Sequence, residues 1–204
     1  MTESWEQTRL AHRDRQAAWI AASALALVIE HGAPALTMAA IAEQAAISRQ
    51  TLYRYYQDVD AVLVGVAELA TAHDEDLAHQ VAEQPDVTSQ LDLIARAATH
   101  NSHQDPAHTM ADHRPPATAA LEAMLPPAGR RIIADHEARA RRLLSLVLRR
   151  GMDDGTFRPD LSPEADAPLI FGLLAAADPH EPERAVSIVH QLVRSSTHHE
   201  EQTR

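Results

Sequence analysis

TMAAIAEQAAISRQTLYRYY, from Thr37 to Tyr56, is the stretch on which the reading of this chain turns. Thr37 can cap a short helix reaching about Ala45, because its hydroxyl can accept an early backbone N–H. Ala46 and Ile47 leave room only for a tight turn, and Ser48 offers a second cap. Arg49 to Tyr56 then make barely two helical turns. Helices this short are marginal alone and must pack on a longer neighbour. That neighbour lies upstream, between Arg9 and His31. There Ala17, Ile20, Ala24, Leu27 and Val28 recur at helical intervals, and Gly32 stands where a helix-ending glycine belongs. With Ile41, Leu52 and Tyr56 as apolar anchors, the arrangement predicts a helix-turn-helix, whose second member can lie in a DNA major groove.

The side chains on that second helix strengthen the expectation. Ser48, Arg49, Gln50, Thr51, Tyr53, Arg54 and Tyr55 crowd hydroxyl, amide and guanidinium groups into one small element, which holds all three tyrosines of the chain with Tyr56. Arginine can pair bidentately with guanine and glutamine with adenine, while hydroxyls suit phosphate oxygens.

Thr37 to Tyr56 resembles the DNA-binding signature of the TetR family of bacterial repressors, and Ile20, Ala24 and Gly32 fit that family's first helix. The resemblance covers about residues 10–65. It implies base contacts from Arg49, Gln50 and Thr51. Thr37 and Ser48 would hold phosphates, Tyr53, Arg54 and Tyr55 would touch the DNA backbone, and Tyr56 would be the buried aromatic. Three positions depart from the family pattern. Ala46 replaces a turn glycine, at a strain of about 1 kcal/mol if the backbone is left-handed there. Val59 replaces a frequent lysine, and Val28 a larger aromatic.

Beyond this head, Asp58 or Asp60 opens what reads as one long helix through Leu77, ending before Pro85. Further helices are expected over about 87–102, 117–125, 130–150, 163–177 and 182–196. The Gly155 to Leu161 connector before the last two is similar to the regulatory domains of many TetR members. The whole is expected to be all-α: a three-helix DNA-binding domain over 1–65, then an effector-binding and dimerisation bundle over 66–204. Ala185, Ile188, Val189, Leu192 and Val193 follow i, i+3, i+4, i+7, i+8 and form one apolar stripe. With Leu169, Gly172, Leu173 and Ala176 of the preceding helix they predict a two-fold homodimer interface. That symmetry would set two reading heads about 34 Å apart.

Composition narrows the function classes. Of 204 residues 45% are hydrophobic but 3% aromatic, so the interior is filled by Ala, Leu, Ile and Val, which suits packed helices rather than sheets. Without cysteine there are no disulfides, thiolate metal sites or thiol nucleophiles. No apolar run approaches the roughly 18 residues of a membrane span, and the polar first fifteen residues carry no export signal, so a cytoplasmic protein is expected. No nucleophile elbow or glycine-rich phosphate loop is present, and no enzyme activity is expected.

The net charge of −11 argues against non-specific coating of nucleic acid, and residues 1–65 hold five arginines against seven acids. The expected partners are double-stranded operator DNA, a second copy of the chain and a small-molecule effector. Beyond Tyr56 the only aromatic residues are Phe157 and Phe171, so an aliphatic effector pocket is expected, drawn from His100, His103, Met110, Met124, Phe157 and Phe171. The histidines and aspartates between His100 and His113 read as a polar loop, with no cofactor or metal expected. Two rivals stand beside the regulator: a helical scaffold with a degenerate DNA-binding domain, motivated by Val59 and the acidic head, and a metal-responsive regulator using the histidine-rich segment.

Overall fold

The computed structural model describes residues 2–72, 74–101, 117–177 and 181–194. Ten α-helices follow in order among the described residues: α1 (Thr2–His31), α2 (Met38–Gln44), α3 (Arg49–Tyr53), α4 (Val59–Thr71), α5 (Asp74–Glu83), α6 (Val87–Asn101), α7 (Ala117–Met124), α8 (Pro127–Asp153), α9 (Pro163–Ala175) and α10 (Pro182–Val193). A short 3-10 turn, Ala33–Ala35, joins α1 to α2. The only extended pairing among the described residues is one isolated bridge between Phe157 and Arg194. No described helix is long and apolar enough to cross a membrane.

Two departures from the expected helices have simple causes. The long helix expected from Asp58 or Asp60 to just before Pro85 is two helices, α4 capped at Ala72 and α5 opening at Asp74. Apolar periodicity runs across the junction and hides it. At α8 the helix starts at Pro127 and ends at Asp153, beyond both expected limits. Proline is at ease in a first turn, where its missing N–H has no helical partner anyway.

The described residues pack as two compact units. In the first, α1 to α4 are joined by α7 and by α8 up to Asp135. Its core holds Ile20, Ala24, Leu27, Val28, Ile41, Leu52, Val62, Leu63 and Val66, with Leu125 and the partly buried Ile132 and Ile133 added from further along the chain. The packing unit therefore differs from the expected linear division at residue 65, because apolar residues more than fifty positions later complete its core. Each fully buried Ile or Leu contributes about 1.5–3 kcal/mol, enough to hold helices as short as α2 and α3.

The second unit comprises α5, α6, α8 from His136, α9 and α10. Its core is aliphatic around one aromatic, Phe157, with Leu91, Ile94, Leu144, Leu148, Ile170, Leu174, Val186 and Val189. Phe157 sits on Gly151, where an added Cβ would lie 2.6 Å from the ring's Cγ. Gly155, with φ of 77°, turns the chain after α8. Backbone bonds then tie Phe157 N–H to Gly151 O at 2.7 Å and Arg158 N–H to Val193 O at 2.9 Å.

Candidate nucleic-acid interface

The reading element is assembled from caps inward. Thr37 Oγ1 accepts from the Ala40 N–H at 3.2 Å, which starts α2. At its end the Ala46 N–H donates to Glu43 O at 3.0 Å and the Ile47 N–H to Ala42 O at 2.9 Å. These two bonds are those of a helix C-terminus closed by a left-handed residue. Ala46 has φ of 54° and is the only non-glycine residue at positive φ among the described residues. The expected strain is therefore present: alanine occupies a backbone that glycine adopts freely. The Trp19 indole N–H donates to Ala45 O at 3.1 Å and satisfies one of the carbonyls left open at the end of α2. Nothing in the sequence points to that bond across 26 positions.

Ser48 then caps α3, its Oγ accepting from the Thr51 N–H at 3.0 Å and lying 2.9 Å from Thr51 Oγ1. Leu52 is fully buried, so the opposite side of α3 is turned outward. Arg49, Gln50, Tyr53 and Arg54 are exposed there, and Tyr53 shows 55% of its surface. Thr51 is half-buried and tied to Ser48, while Tyr55 packs partly against the core. Of the residues expected to meet DNA, the structure thus gathers Ser48, Arg49, Gln50, Tyr53 and Arg54 at one exposed element, and exposed Thr37 begins the preceding helix.

Tyr56 holds this element in place. Its hydroxyl donates to Ala17 O at 3.2 Å, and its ring lies against Gly65, where a Cβ would come within 2.8 Å of Cζ. Burial, with a smaller contribution from the negative charge of Glu68, raises the pKa of this phenol. Asp58 caps α4, its carboxylate accepting from the Ala61 N–H at 2.8 Å. Val59 is half-buried against the head's core, so the position has packing in place of the family's lysine charge. Val28 is 2% exposed, filling its site as a small core residue.

The remaining expected site residues are dispersed. His103 and Met110 lie outside the described residues, as does the side chain of His100. Met124 packs on the first unit's core, whereas Phe157 and the partly buried Phe171 belong to the second. The second unit also has a polar groove of about 420 Å³, lined by Thr88, Ser89, Asp92, Arg96, His190 and Arg194 among others, and none of the expected pocket residues lines it. Arg96 donates to Asp92 at 2.7 Å and to Glu183, and these bonds raise its pKa further. Among the described residues no group of three or more His, Asp or Glu could hold a metal ion.

Of the expected dimer surface, Ala185, Val189 and Val193 fill the second unit's own core, whereas Leu169, Gly172, Leu173, Ala176, Ile188 and Leu192 are exposed. Leu169 shows 71% of its surface and Leu192 45%. The stripe read along α10 thus has its centre facing inward and only its margin facing out.

Residues 20–66 match the family model described as "Bacterial regulatory proteins, tetR family". No curated protein sequence matches the chain. Among solved structures, the fatty acid degradation regulator FadR from Bacillus halodurans is similar with a TM-score of 0.70 at 21% identity, over 91% of this chain and 97% of that one. A TetR transcription regulator from Haloarcula marismortui gives a TM-score of 0.70 at 21% identity, over 87% and 96%. The transcriptional regulator FadR from Bacillus subtilis, in complex with stearoyl-CoA, gives 0.67 at 16% identity, over 86% and 98%. Capped helices, a left-handed turn, an exposed Arg49 and Gln50 and the matched family model converge: residues 20–66 form a helix-turn-helix that matches the TetR family of bacterial regulatory proteins, on a chain with the fold of a TetR-type transcriptional regulator.

Proposed function

We propose that the protein is a cytoplasmic, non-enzymatic repressor that binds a palindromic operator as a two-fold dimer and is released by a small-molecule effector. The observation that carries this reading is the outward face of α3, where Arg49 and Gln50 stand free beside a Ser48 cap, within the segment matching the family model. Arg49, Gln50 and Thr51 read bases, Thr51 from a half-buried place at the same helix start. Thr37, Ser48, Tyr53, Arg54 and Tyr55 hold the backbone. The linear assignment is a DNA-binding domain over 1–65 and an effector and dimerisation domain over 66–204.

The dimer uses the exposed apolar margin of α9 and α10. Leu169, Leu173, Ile188 and Leu192 are uncovered, and nothing within 4 Å would obstruct a Cβ at Gly172, so a partner helix has close access there. Ala185, Val189 and Val193 support that surface from beneath. The effector is an aliphatic molecule, in keeping with an almost wholly aliphatic second core. The stearoyl-CoA complex of the Bacillus subtilis protein supports this class, since a related fold accommodates a long acyl chain. Of the residues expected to line its pocket, Phe171, partly buried against that core, is the candidate for contacting it. Release requires that the effector bind the two states of the protein with different affinity.

Selection of bound duplexes from a random library tests the reading. An enriched palindrome is expected, and Arg49→Ala or Gln50→Ala should cost about 1–3 kcal/mol at one base position in each half-site. Failure to enrich any sequence at low salt refutes it and favours the scaffold reading, which the half-buried Val59 and the acidic head support. In sedimentation, a dimer that Leu192→Glu dissociates is expected; a wild-type monomer at micromolar concentration contradicts the interface.

A further inference from the structure

The family model begins at residue 20, yet α1 begins at Thr2. The preceding turns of α1 therefore have a role to be explained. Helical phase gives them a direction. Ile20 is buried and Ala17 half-buried, and stepping back by three and four residues from them reaches Arg13, Arg9 and Trp5. The bond from Tyr56 to Ala17 O seats the end of α3 on that same side of α1. Between them lies a groove of about 700 Å³ lined by Trp5, Arg9, His12 and Arg13 of α1 and by Arg54 and Tyr55 just after α3.

Three of the five arginines in residues 1–65 line this one groove, although that segment as a whole carries more acids than bases. Arg15 does not join them, since its Nε donates back to Ala11 O at 3.2 Å. Asp14 is absent from the lining. Such a concentration of guanidinium groups in an acidic chain calls for a polyanion, and the groove is continuous with the outward face of α3 through Arg54. We propose that it is a second phosphate-contact surface, in which Arg9 and Arg13 grip the backbone of the duplex alongside Arg54 while α3 reads the bases. This rests on the DNA-binding reading above and extends it to residues the family model does not cover. Arg9 and Arg13 are one helical turn apart, so both can serve the same strand; neither carries sequence information, because phosphate contacts position the protein without distinguishing bases.

The test is the salt dependence of binding to the selected operator by the full chain, by R9Q/R13Q and by R9K/R13K. Each phosphate neutralised contributes about 0.9 to the slope of log K against log salt, and the dimer carries two copies of each arginine, so R9Q/R13Q should be shallower by about 3.6. Between about 50 and about 200 mM salt the wild type should then lose about 150-fold more affinity than R9Q/R13Q. The lysine variant should keep the wild-type slope, since an ammonium neutralises a phosphate as a point charge. Base preference should be the same in all three. A glutamine variant with the wild-type slope overturns the proposal, as does a lysine variant as shallow as the glutamine one, which would mean a structural role. If the wild type binds no duplex at low salt, the DNA-binding reading falls and takes this one with it. Binding with an unchanged slope removes the groove alone.

Discussion

Each unit seats one aromatic ring on a glycine, and the two do so differently. In the head, the half-buried Tyr56 leans on Gly65 and sends its hydroxyl to Ala17 O. In the second unit Phe157, 2% exposed, lies on Gly151 with no polar atom to place. The tyrosine joins three helices through a ring edge and one hydrogen bond, and its outer side faces water. The phenylalanine is enclosed by aliphatic side chains, so its position is fixed by packing alone. Left-handed positions differ too: the head puts Ala46 at φ of 54°, whereas the second unit puts Gly155 at 77°. The head tolerates local strain and depends on bonds that can be exchanged with water, while the second unit depends on filled volume.

The largest effect should come from emptying the enclosed site. Phe157→Ala should destabilise the protein by about 3–5 kcal/mol in denaturant unfolding, since neighbours collapse only partly into the space. A loss under about 1 kcal/mol would mean that Phe157 is not the keystone of its core. Next comes overfilling. Gly151→Ala should cost about 1–3 kcal/mol, because the ring it displaces has no free side to move toward. Gly65→Ala should cost less, about 1 kcal/mol, as Tyr56 can swing outward at the expense of its bond to Ala17. Equal costs at the two glycines would break the comparison.

Tyr56→Phe should cost about 0.5–1.5 kcal/mol near neutral pH, with the ring retained and the bond to Ala17 lost. It should also remove an alkaline component of stability. Because burial raises the folded pKa, the unfolded chain ionises first; the tyrosine's contribution is complete below about pH 10 and is lost as pH climbs through the raised folded value. Unfolding curves of wild type and Tyr56→Phe should therefore converge above that range, and parallel curves would show that the phenol is not held by burial.

The smallest effects test the left-handed positions. Ala46→Gly should stabilise the head by up to about 1 kcal/mol, the relief of strain being partly offset by the greater freedom of glycine in the unfolded chain. Gly155→Ala should destabilise by about 1 kcal/mol, although no atom lies near its added Cβ. Thermal melts that move in the same direction for both would separate these turns from their backbone angles.

The head was legible in the sequence because its determinants are local. Thr37, Ser48 and Asp58 cap the helices they precede, Gly32 and Ala46 end the helices they follow, and the apolar spacing of Ile20, Ala24, Leu27 and Val28 fixes which face of α1 is buried. These features act over one helical turn, so the order of residues alone specifies them. Which margin of an apolar stripe faces a partner is another matter. Ala185, Val189 and Val193 share a stripe with Ile188 and Leu192, yet only the latter two are exposed, because α10 packs its other side against α6 and α9. The bond from Trp19 to Ala45 and the completion of the head's core by Leu125, Ile132 and Ile133 likewise depend on segments remote in sequence. Periodicity determined that these helices exist and carry apolar faces; only tertiary packing decided what each face meets, since burial depends on volume shared among distant segments rather than on the order of residues within one.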